Sequence, residues 1–293
     1  MKHGDFLSGI ISAGIAGLCA FFAAPVGFAA DRSITMVKSR DGVPIAVECA
    51  GAGPSLVIVH GGTGDRSRWT PLFPLLLSKF SVCAMDRRGH GASGDSSDYT
   101  LQKEAEDVAA VVNSRPDSVF VLGHSYGGVG ALEAAFLTNK ISKLVLYEPP
   151  LQDRDHTAVA DRMEAMIRRG ERERALLEFL REIVMISADE VHAMRSRPSW
   201  PQLIASIESQ DRQVRALNRY RFDPKRVSSL RIPTLLLAGS DTPSPELKQA
   251  ISALLESLPN RRLVVFDGQQ HNAMDTIPRQ FADVITRFLL DAR

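Results

Sequence analysis

An excess of either charge sign is missing from this 293-residue chain. Lys and Arg total 35 against 34 Asp and Glu, so the formal net charge is +1. Nucleic-acid-binding domains usually show a basic footprint, so we expect no nucleic-acid partner. Internal repeats and low-complexity tracts are also missing. The 44% hydrophobic content is enough for a large core, as one α/β domain or one domain plus an insertion.

The common cofactor and metal signatures are absent as well. The sequence contains no Gly-x-x-x-x-Gly-Lys-Ser/Thr phosphate loop, and no Gly-x-Gly-x-x-Gly opens a helix after a strand. His and Cys residues do not cluster at the spacing of zinc ligands. We therefore expect a function that needs neither a metal nor an organic cofactor.

Cysteine is scarce, with three residues in the chain. Cys19 follows Gly17-Leu18, which does not form a lipoprotein cleavage box, so we expect no lipid there. Cys49 and Cys83 can form a bridge if the protein is exported. Disulfide geometry is demanding, and we expect instead two buried thiols that act as small hydrophobic side chains.

Residues 1–30 differ in composition from the rest of the chain. After a weakly basic start, no charged residue follows Asp5, and the small residues Gly27 and Ala29 precede a plausible cleavage point. This pattern predicts a secretory signal peptide and an exported protein, periplasmic or secreted. The apolar run is also long enough to cross a bilayer, so the alternative is a membrane anchor formed by residues 6–30.

Apolar runs and amphipathic stretches alternate along most of the remaining chain. Buried strands are predicted at 55–59, 80–85, 119–123, 142–147, 232–238 and 262–266. Helices are predicted from 65, over 101–113, over 245–258 and over 278–290. This alternation predicts a mostly parallel sheet flanked by helices, preceded by an antiparallel hairpin that turns at Asp41-Gly42. Ligands of such sheets bind outside the carboxyl ends of the strands.

The alternation stops between residues 151 and 230, where the sequence is Arg-rich and helical by period. Four helices are predicted there: over 157–169, over 174–184, from the capping box Ser187-x-x-Glu190, and over 200–217. Phe179, Met194 and Trp200 are the side chains in this segment whose exposure to substrate the sequence leaves open.

One short stretch carries the strongest functional signal. The apolar strand Val119–Leu122 runs into Gly123-His-Ser125-Tyr-Gly127, and a helix of small residues follows. Gly123 and Gly127 suit places where strand and helix backbones approach too closely for a Cβ. The turn holds Ser125 in a strained conformation, with its hydroxyl exposed at the sheet edge.

This strand–turn–helix stretch resembles the nucleophile elbow of the α/β-hydrolase superfamily, and the resemblance extends from about Ile34 to Leu290. It implies an α/β-hydrolase fold, in which a mostly parallel central sheet is flanked by helices. It also implies that residues 151–230 form a helical lid. The hydrolase core is then divided into residues 31–150 and 231–293.

The resemblance also implies a catalytic triad in the chain order serine, acid, histidine. Ser125, Asp241 and His271 match that order, and Asp241 and His271 each follow a predicted strand. Glu148, which follows the strand after the elbow, is the rival acid, because some family members place the acid there. A serine hydroxyl needs such a base to become nucleophilic at neutral pH.

The backbone N–H groups of Gly62 and Tyr126 are the implied oxyanion hole, with Thr63 as a substitute for Gly62. Three other histidines receive structural roles. We expect His60 and His90 to bond loop backbones, and His124, beside the serine, to shape the pocket.

Together these features predict a serine hydrolase that cleaves carboxylic esters or lactones through an acyl-enzyme, with a small acyl compound as its substrate and a membrane as partner only if residues 6–30 stay uncleaved. One alternative is an acyltransferase or perhydrolase that uses the same triad. The other is a ligand receptor built on a hydrolase scaffold. The sequence carries no signal for oligomeric state or for the identity of the ester.

Overall fold

The computed structural model describes residues 33–151 and 154–291. The predicted signal peptide or anchor, residues 1–30, lies outside this part of the chain. The described residues contain one eight-stranded sheet. Its strands are β1 (Ser33–Lys38), β2 (Pro44–Ala50), β3 (Ser55–Val59), β4 (Ser81–Met85), β5 (Val119–His124), β6 (Ile141–Tyr147), β7 (Thr234–Gly239) and β8 (Arg261–Phe266).

The order of the strands across the sheet is β1-β2-β4-β3-β5-β6-β7-β8. Strand β2 pairs antiparallel with both β1 and β4, and every other neighbouring pair is parallel. The expected antiparallel hairpin is confirmed, with Gly42 at a φ of +91° in its turn. Because β5, β6 and β8 run in one direction, their carboxyl ends meet at one edge of the sheet.

Twelve α-helices flank or interrupt this sheet in the described residues. They are α1 (Phe73–Leu76), α2 (Leu101–Asn113), α3 (Ser125–Ala134), α4 (Thr157–Arg168), α5 (Arg172–Phe179), α6 (Ala188–Arg195), α7 (Trp200–Ala205), α8 (Gln210–Arg219), α9 (Pro224–Val227), α10 (Pro245–Ser257), α11 (Ala273–Thr276) and α12 (Pro278–Leu290). Two 3-10 turns, Arg66–Trp69 and Ser206–Ser209, and one π-helical turn, Leu180–Val184, accompany them.

The central strands are buried on both faces, which explains their continuous apolar sequences. Leu56 to Val59 of β3 and Leu144 to Tyr147 of β6 are fully enclosed. Strand β8 lies at the edge of the sheet, and its Leu263 and Val265 are exposed. The core therefore sits against the middle of the sheet, beneath the edge where the loops after β3, β5 and β6 emerge.

Helices α4–α9 lie between β6 and β7, and we call them the insertion. They pack around an apolar cluster of their own that includes Met163, Leu176, Trp200 and Val214. Ser187 accepts a hydrogen bond from the Glu190 N–H, so the predicted N-cap of α6 is confirmed.

The single helix predicted over 200–217 is wrong. A 3-10 turn separates α7 from α8, because the hydroxyls of Ser206 and Ser209 donate to carbonyls three residues earlier, at 2.8 and 2.9 Å. Such back-bonding competes with regular helix geometry. The helix predicted over 174–184 likewise ends at Phe179 and continues as the π-helical turn.

Cys49 and Cys83 form a disulfide, so the expectation of two free thiols is wrong. The cysteines lie on the antiparallel strands β2 and β4 and face each other directly in their register. The Arg115 guanidinium lies 3.3 Å from both sulfurs. Strand order, which the sequence alone does not fix, decides whether the two side chains meet.

Within residues 33–151 and 154–291, no helix has both the length and the apolar character needed to cross a bilayer.

Candidate active site

Ser125 occupies the predicted elbow, as the first residue of α3 directly after β5. Its φ is +52°, in the left-handed region that serine rarely adopts. A Cβ on Gly127 would lie 2.2 Å from the His60 carbonyl oxygen, and one on Gly123 would lie 2.6 Å from the Gly128 Cα. Only glycine fits these two positions. The tight turn therefore holds Ser125 in a costly conformation at the sheet edge.

His271 pairs with Glu148 rather than with Asp241. The His271 Nδ1 lies 2.6 Å from the Glu148 Oε2, and both side chains are buried. Glu148 directly follows β6 and has a φ of +44°. Its second oxygen accepts from the Gly239 N–H at 2.9 Å and from the Thr242 hydroxyl at 2.5 Å. Every oxygen of this carboxylate is therefore bound, and one of them fixes the imidazole.

Burial by itself would raise the pKa of Glu148, but three donors oppose it. The hydrogen bond and charge of His271, together with the Thr242 hydroxyl and the Gly239 N–H, bring the pKa of Glu148 below its usual value. Glu148 is therefore ionised at neutral pH, as a carboxylate that orients an imidazole must be.

Asp241 is placed elsewhere, so the prediction that it bonds His271 is wrong. Its side chain is exposed, and its carboxylate accepts a hydrogen bond from the adjacent Ser240 hydroxyl at 2.8 Å. Its N–H donates to the Gln269 carbonyl at 2.9 Å. The loop after β7 instead turns Thr242 inward, and Thr242 binds Glu148. The loop that bears Asp241 thus supports the acid without supplying it.

Ser125 and His271 both line a cavity of about 680 Å³ at the carboxyl edge of the sheet. Phe179 and Met194 of the insertion contribute to its wall, whereas Trp200 packs into the apolar cluster of the insertion. Among the described residues the Ser125 hydroxyl has no hydrogen-bond partner. Catalytic hydrogen bonds often tighten only when substrate is present. The Ser125 side chain lines this cavity, where a substrate can reach it.

His124 packs against the histidine of the pair. Its ring centroid lies 4.6 Å from that of His271 and 5.2 Å from that of Tyr147. Its Nε2 bonds the His271 carbonyl oxygen at 3.0 Å. The pKa of His124 lies well below its usual value. Burial is the largest cause, and the neighbouring His271 and Arg68 add smaller contributions. A neutral His124 therefore forms one wall behind His271, in agreement with the expected pocket-shaping role.

The Gly61 carbonyl is held by two donors. The Arg87 Nη1 lies 2.6 Å from it and the His60 Nδ1 lies 2.9 Å from it. His60 Nε2 accepts from the Arg87 N–H at 3.1 Å, which leaves the proton on Nδ1. Because a peptide unit is planar and trans, fixing this carbonyl also fixes the direction of the Gly62 N–H. His60 thus bonds a loop backbone, as expected, and so does His90, whose Nδ1 lies 2.8 Å from the Gly64 carbonyl oxygen.

Arg87 also supports the second candidate oxyanion donor. Its guanidinium lies over the Tyr126 ring, 4.5 Å from the centroid. The Tyr126 N–H belongs to the first turn of α3, where backbone donors have no partner within the helix. Arg87 is fully buried and paired with Glu104 at 2.9 Å, while the Tyr99 hydroxyl donates to the same carboxylate at 2.6 Å. One buried ion pair therefore fixes the Gly61–Gly62 peptide and packs against the Tyr126 side chain.

Helix α8 of the insertion binds the same loop. Gln210 donates from its side-chain amide to the Gly62 carbonyl oxygen, and Gln213 accepts from Arg87 Nη2 at 2.7 Å. Both glutamines are almost completely buried. The insertion is therefore fastened to the loop that carries Gly62, so a shift of α8 would disturb that loop.

Replacing Arg87 with methionine is expected to lower the free energy of unfolding by about 3–5 kcal/mol, because it leaves the Glu104 carboxylate buried without its cation. The measurement is urea unfolding followed by circular dichroism. Arg279→Met on the exposed face of α12 is the matched control and is expected to change stability by about 0.5 kcal/mol or less. Equal stability of the two variants would contradict the bracing role.

Acid is expected to destabilise the protein through three buried histidines. Burial lowers the pKa of His60 and His124 well below the usual value, and burial with the nearby Arg87 lowers that of His90 to about 3. At pH values between these lowered pKa values and the ordinary histidine pKa of about 6.5, the unfolded chain binds protons that the folded chain does not. The stabilising effect is complete above pH 6.5 and is lost as the pH falls.

Each of these histidines contributes a slope on the order of 1 kcal/mol per pH unit. Urea unfolding at pH 7.5, 6.0 and 4.5 measures it. His90→Gln is expected to flatten the slope, whereas His192→Gln, on the exposed face of α6, is expected to retain it. A free energy of unfolding that stays constant over this range would contradict the expectation.

The sequence pattern missed several residues of this site. Arg87 lies in the stretch Asp86-Arg-Arg-Gly-His-Gly that follows β4, where paired arginines after a buried strand were the available signal. Gln210 and Gln213 carry no such signal, since two glutamines in an amphipathic helix are typical of a solvated face. Only the packing of α8 shows that they are buried.

Comparison with known proteins identifies the family of this fold. The model of the alpha/beta hydrolase family matches residues 56–284. The crystal structure of an alpha/beta hydrolase from Sphaerobacter thermophilus superposes with a TM-score of 0.76 and 32% sequence identity, over 87% of this chain and 100% of that chain.

Two curated relatives extend the comparison. A pimeloyl-[acyl-carrier protein] methyl ester esterase from Aeromonas hydrophila is 28% identical over 262 residues, which cover 84% of this chain and 99% of the relative. The probable oxidoreductase EphD of Mycobacterium tuberculosis is 39% identical over 105 residues, 33% of this chain, and the chain spans 18% of its length. The family model covers most of the described residues, and the fold and the relatives agree with it. The chain therefore belongs to the alpha/beta hydrolase family and is an enzyme of that family.

Proposed function

We propose that this hydrolase cleaves carboxylic esters or lactones through an acyl-enzyme formed on Ser125. The observation that carries the proposal is the buried His271–Glu148 pair, 2.6 Å apart, beside a strained serine that opens into the same cavity as His271. A nucleophile, a base and a group that orients the base are the components of serine acyl transfer.

In the first step, His271 Nε2 takes the Ser125 proton as Oγ forms a bond to the acyl carbon. The proton then passes to the departing oxygen, and the carbon–oxygen bond to the alcohol breaks. A water molecule, deprotonated by the same nitrogen, then attacks the acyl carbon. The bond from that carbon to Oγ breaks, Nε2 returns the proton to Oγ, and the acid is released. Glu148 holds the proton on Nδ1, so that Nε2 is the basic nitrogen, and stabilises the imidazolium that forms.

The developing oxyanion is held by the Gly62 and Tyr126 N–H groups. Arg87 supports both, through the Gly61 carbonyl and the Tyr126 ring. Donors that are aimed in advance cost no reorganisation during the reaction, and one such donor typically contributes about 3 kcal/mol to lowering the barrier. The insertion acts as a lid over this site, supported by the positions of Phe179, Met194 and Gln210.

The Aeromonas relative is described as a methyl ester esterase, which supports carboxylic esters as the substrate class. A serine acyl-enzyme also suits lactones. Water is proposed as the acceptor, and product analysis in the presence of competing alcohols or peroxide would separate hydrolysis from acyl transfer.

A fluorophosphonate probe tests the proposal without knowledge of the natural ester. Labelling followed by peptide mapping is expected to place the phosphonyl group on Ser125. Prior incubation with an excess of p-nitrophenyl acetate is expected to slow the labelling, since both compounds react with the same hydroxyl. Labelling of another residue, or none, would overturn the serine mechanism. Turnover of p-nitrophenyl acetate would separate an enzyme from a receptor that only binds.

The protein is also proposed to be exported, with residues 1–30 removed as a signal peptide. The Cys49–Cys83 disulfide supports this, because disulfides persist in oxidising compartments outside the cytosol. Amino-terminal sequencing of the protein from its native host is expected to begin near Asp31. A chain that retains residues 6–30 in the membrane fraction would establish the anchor instead.

A further inference from the structure

A second, smaller cavity leads away from Ser125 on the side of Tyr126. Its volume is about 70 Å³, and it is lined by Ser125, Gly62 and His271 at one end. At roughly 10–15 Å³ for each water-sized group, it holds about five to seven non-hydrogen atoms. Its side walls are apolar: Phe179, Ile183, Val184, Val214, Leu217 and Leu247.

His156 and Glu246 form a polar patch in this otherwise apolar wall. His156 precedes α4 and is 5% exposed, and Glu246 lies in the first turn of α10. The His156 Nε2 lies 3.1 Å from the Glu246 Oε2, and the other Glu246 oxygen lies 3.2 Å from the Arg154 Nε. The pair takes no part in the proposed chemistry on Ser125.

The second nitrogen of His156 has no hydrogen-bond partner among the described residues. Other polar side chains in the wall are engaged: Gln210 with Gly62, Gln213 with Arg87, and Ser244 with the Leu247 N–H. A carboxylate only accepts hydrogen bonds, so Nε2 of His156 carries the proton that faces Glu246. In the neutral imidazole, Nδ1 is then an acceptor. His156 lines the cavity, so a ligand that donates a hydrogen bond to this nitrogen gains affinity here.

We infer that this cavity is an acyl subsite selective for a hydroxyl-bearing acyl chain, with His156 Nδ1 accepting a hydrogen bond from the hydroxyl. The inference rests on the proposed function. A hydroxyl fits better than an ammonium group because the surrounding wall is apolar, and a buried charge costs far more than a buried neutral donor. A chain of up to about seven non-hydrogen atoms fills the space.

The larger cavity suits the alcohol portion. After the first step the acyl group stays bonded to Ser125, while the alcohol must leave and water must enter. The 680 Å³ cavity provides that path and is also lined by His271, which handles the protons. The 70 Å³ cavity retains the acyl chain throughout.

The test compares kcat/KM for pairs of methyl esters that differ by one hydroxyl. The pairs are methyl butanoate with methyl 3-hydroxybutanoate, methyl pentanoate with methyl 4-hydroxypentanoate, and methyl hexanoate with methyl 5-hydroxyhexanoate. Hydrolysis is measured by titration of the released acid. For at least one pair, the wild type is expected to prefer the hydroxylated ester by about tenfold or more. His156→Leu is expected to abolish that preference, and Glu246→Gln to weaken it. His192→Leu, a matched change on the exposed face of α6, is expected to retain it.

A hydroxyacyl group also arises when a lactone ring opens, so δ-hexalactone forms a second arm. It gives the same 5-hydroxyhexanoyl-enzyme as the open ester, and the ratio of the two rates identifies the preferred source. His156→Leu is expected to lower both rates relative to methyl hexanoate.

Several results would overturn the subsite. One is a preference for plain esters throughout. Another is a loss in His156→Leu that is equal for plain and hydroxylated esters, as expected if the His156–Glu246 pair merely fastened α4 to α10. A third is a preference for a hydroxyl on the alcohol portion, measured with 3-hydroxypropyl and propyl hexanoate, because it would show that the cavity holds the alcohol and not the acyl chain. Failure of the proposed function is distinguishable, because then no ester is cleaved and the fluorophosphonate does not modify Ser125.

Discussion

Substitution of Ser125 by alanine is expected to lower kcat for p-nitrophenyl acetate by about 10⁵–10⁶-fold, to the level that the remaining donors alone support. The reason is that the first bond of the proposed mechanism forms from Oγ, and without it there is no acyl-enzyme for water to attack. The measurement is steady-state hydrolysis at high enzyme concentration, with enzyme purified under conditions that exclude trace wild type. A residual kcat within about tenfold of the wild type would exclude Ser125 as the nucleophile.

The same variant is expected to fold normally, which makes the loss interpretable. The Ser125 hydroxyl has no hydrogen-bond partner among the described residues, so its removal leaves no buried group unsatisfied. Alanine must adopt the same φ of +52°, and so the strain of the elbow is unchanged. Unfolding in urea is expected to give a free energy close to that of the wild type. A large loss of stability would assign the hydroxyl a structural role instead.

The elbow shows how far sequence reasoning reaches. Gly123 and Gly127 are required by contacts between neighbouring elements, and such local constraints leave a readable pattern. The buried strands are equally readable, because a strand enclosed on both faces has to be apolar throughout. The fold and the positions of Ser125 and His271 follow from signals of this kind.

The acid of the site could not be chosen in the same way. Glu148 and Asp241 follow the adjacent parallel strands β6 and β7, so both begin at the same sheet edge. The outcome depends on which of two adjacent residues in the loop after β7 faces inward. Thr242 faces Glu148, while Asp241 is exposed. The two buried glutamines of α8 were missed and the disulfide was wrongly set aside for the same reason, since both depend on how distant segments meet.

Exchange of Glu148 for glutamine is therefore expected to lower kcat by about 10³–10⁴-fold, while Asp241→Asn leaves kcat near the wild-type value. The amide oxygen can still accept from Gly239 and Thr242. Its NH₂ group then faces His271 Nδ1, which must become the acceptor, and the proton moves to Nε2. The imidazole is held in the wrong tautomer and cannot take the Ser125 proton.

Both variants keep the size of the original side chain, so the comparison isolates the acid. Steady-state kcat from pH 6 to 9 is the measurement, and raising the pH is not expected to restore Glu148→Gln, because a fixed tautomer rather than a protonated base limits the reaction. Fluorophosphonate labelling of Ser125 is expected to slow in parallel, since it needs the same proton transfer. If Asp241→Asn instead showed the large loss and Glu148→Gln did not, the loop after β7 would have to rearrange in solution to bring Asp241 to His271.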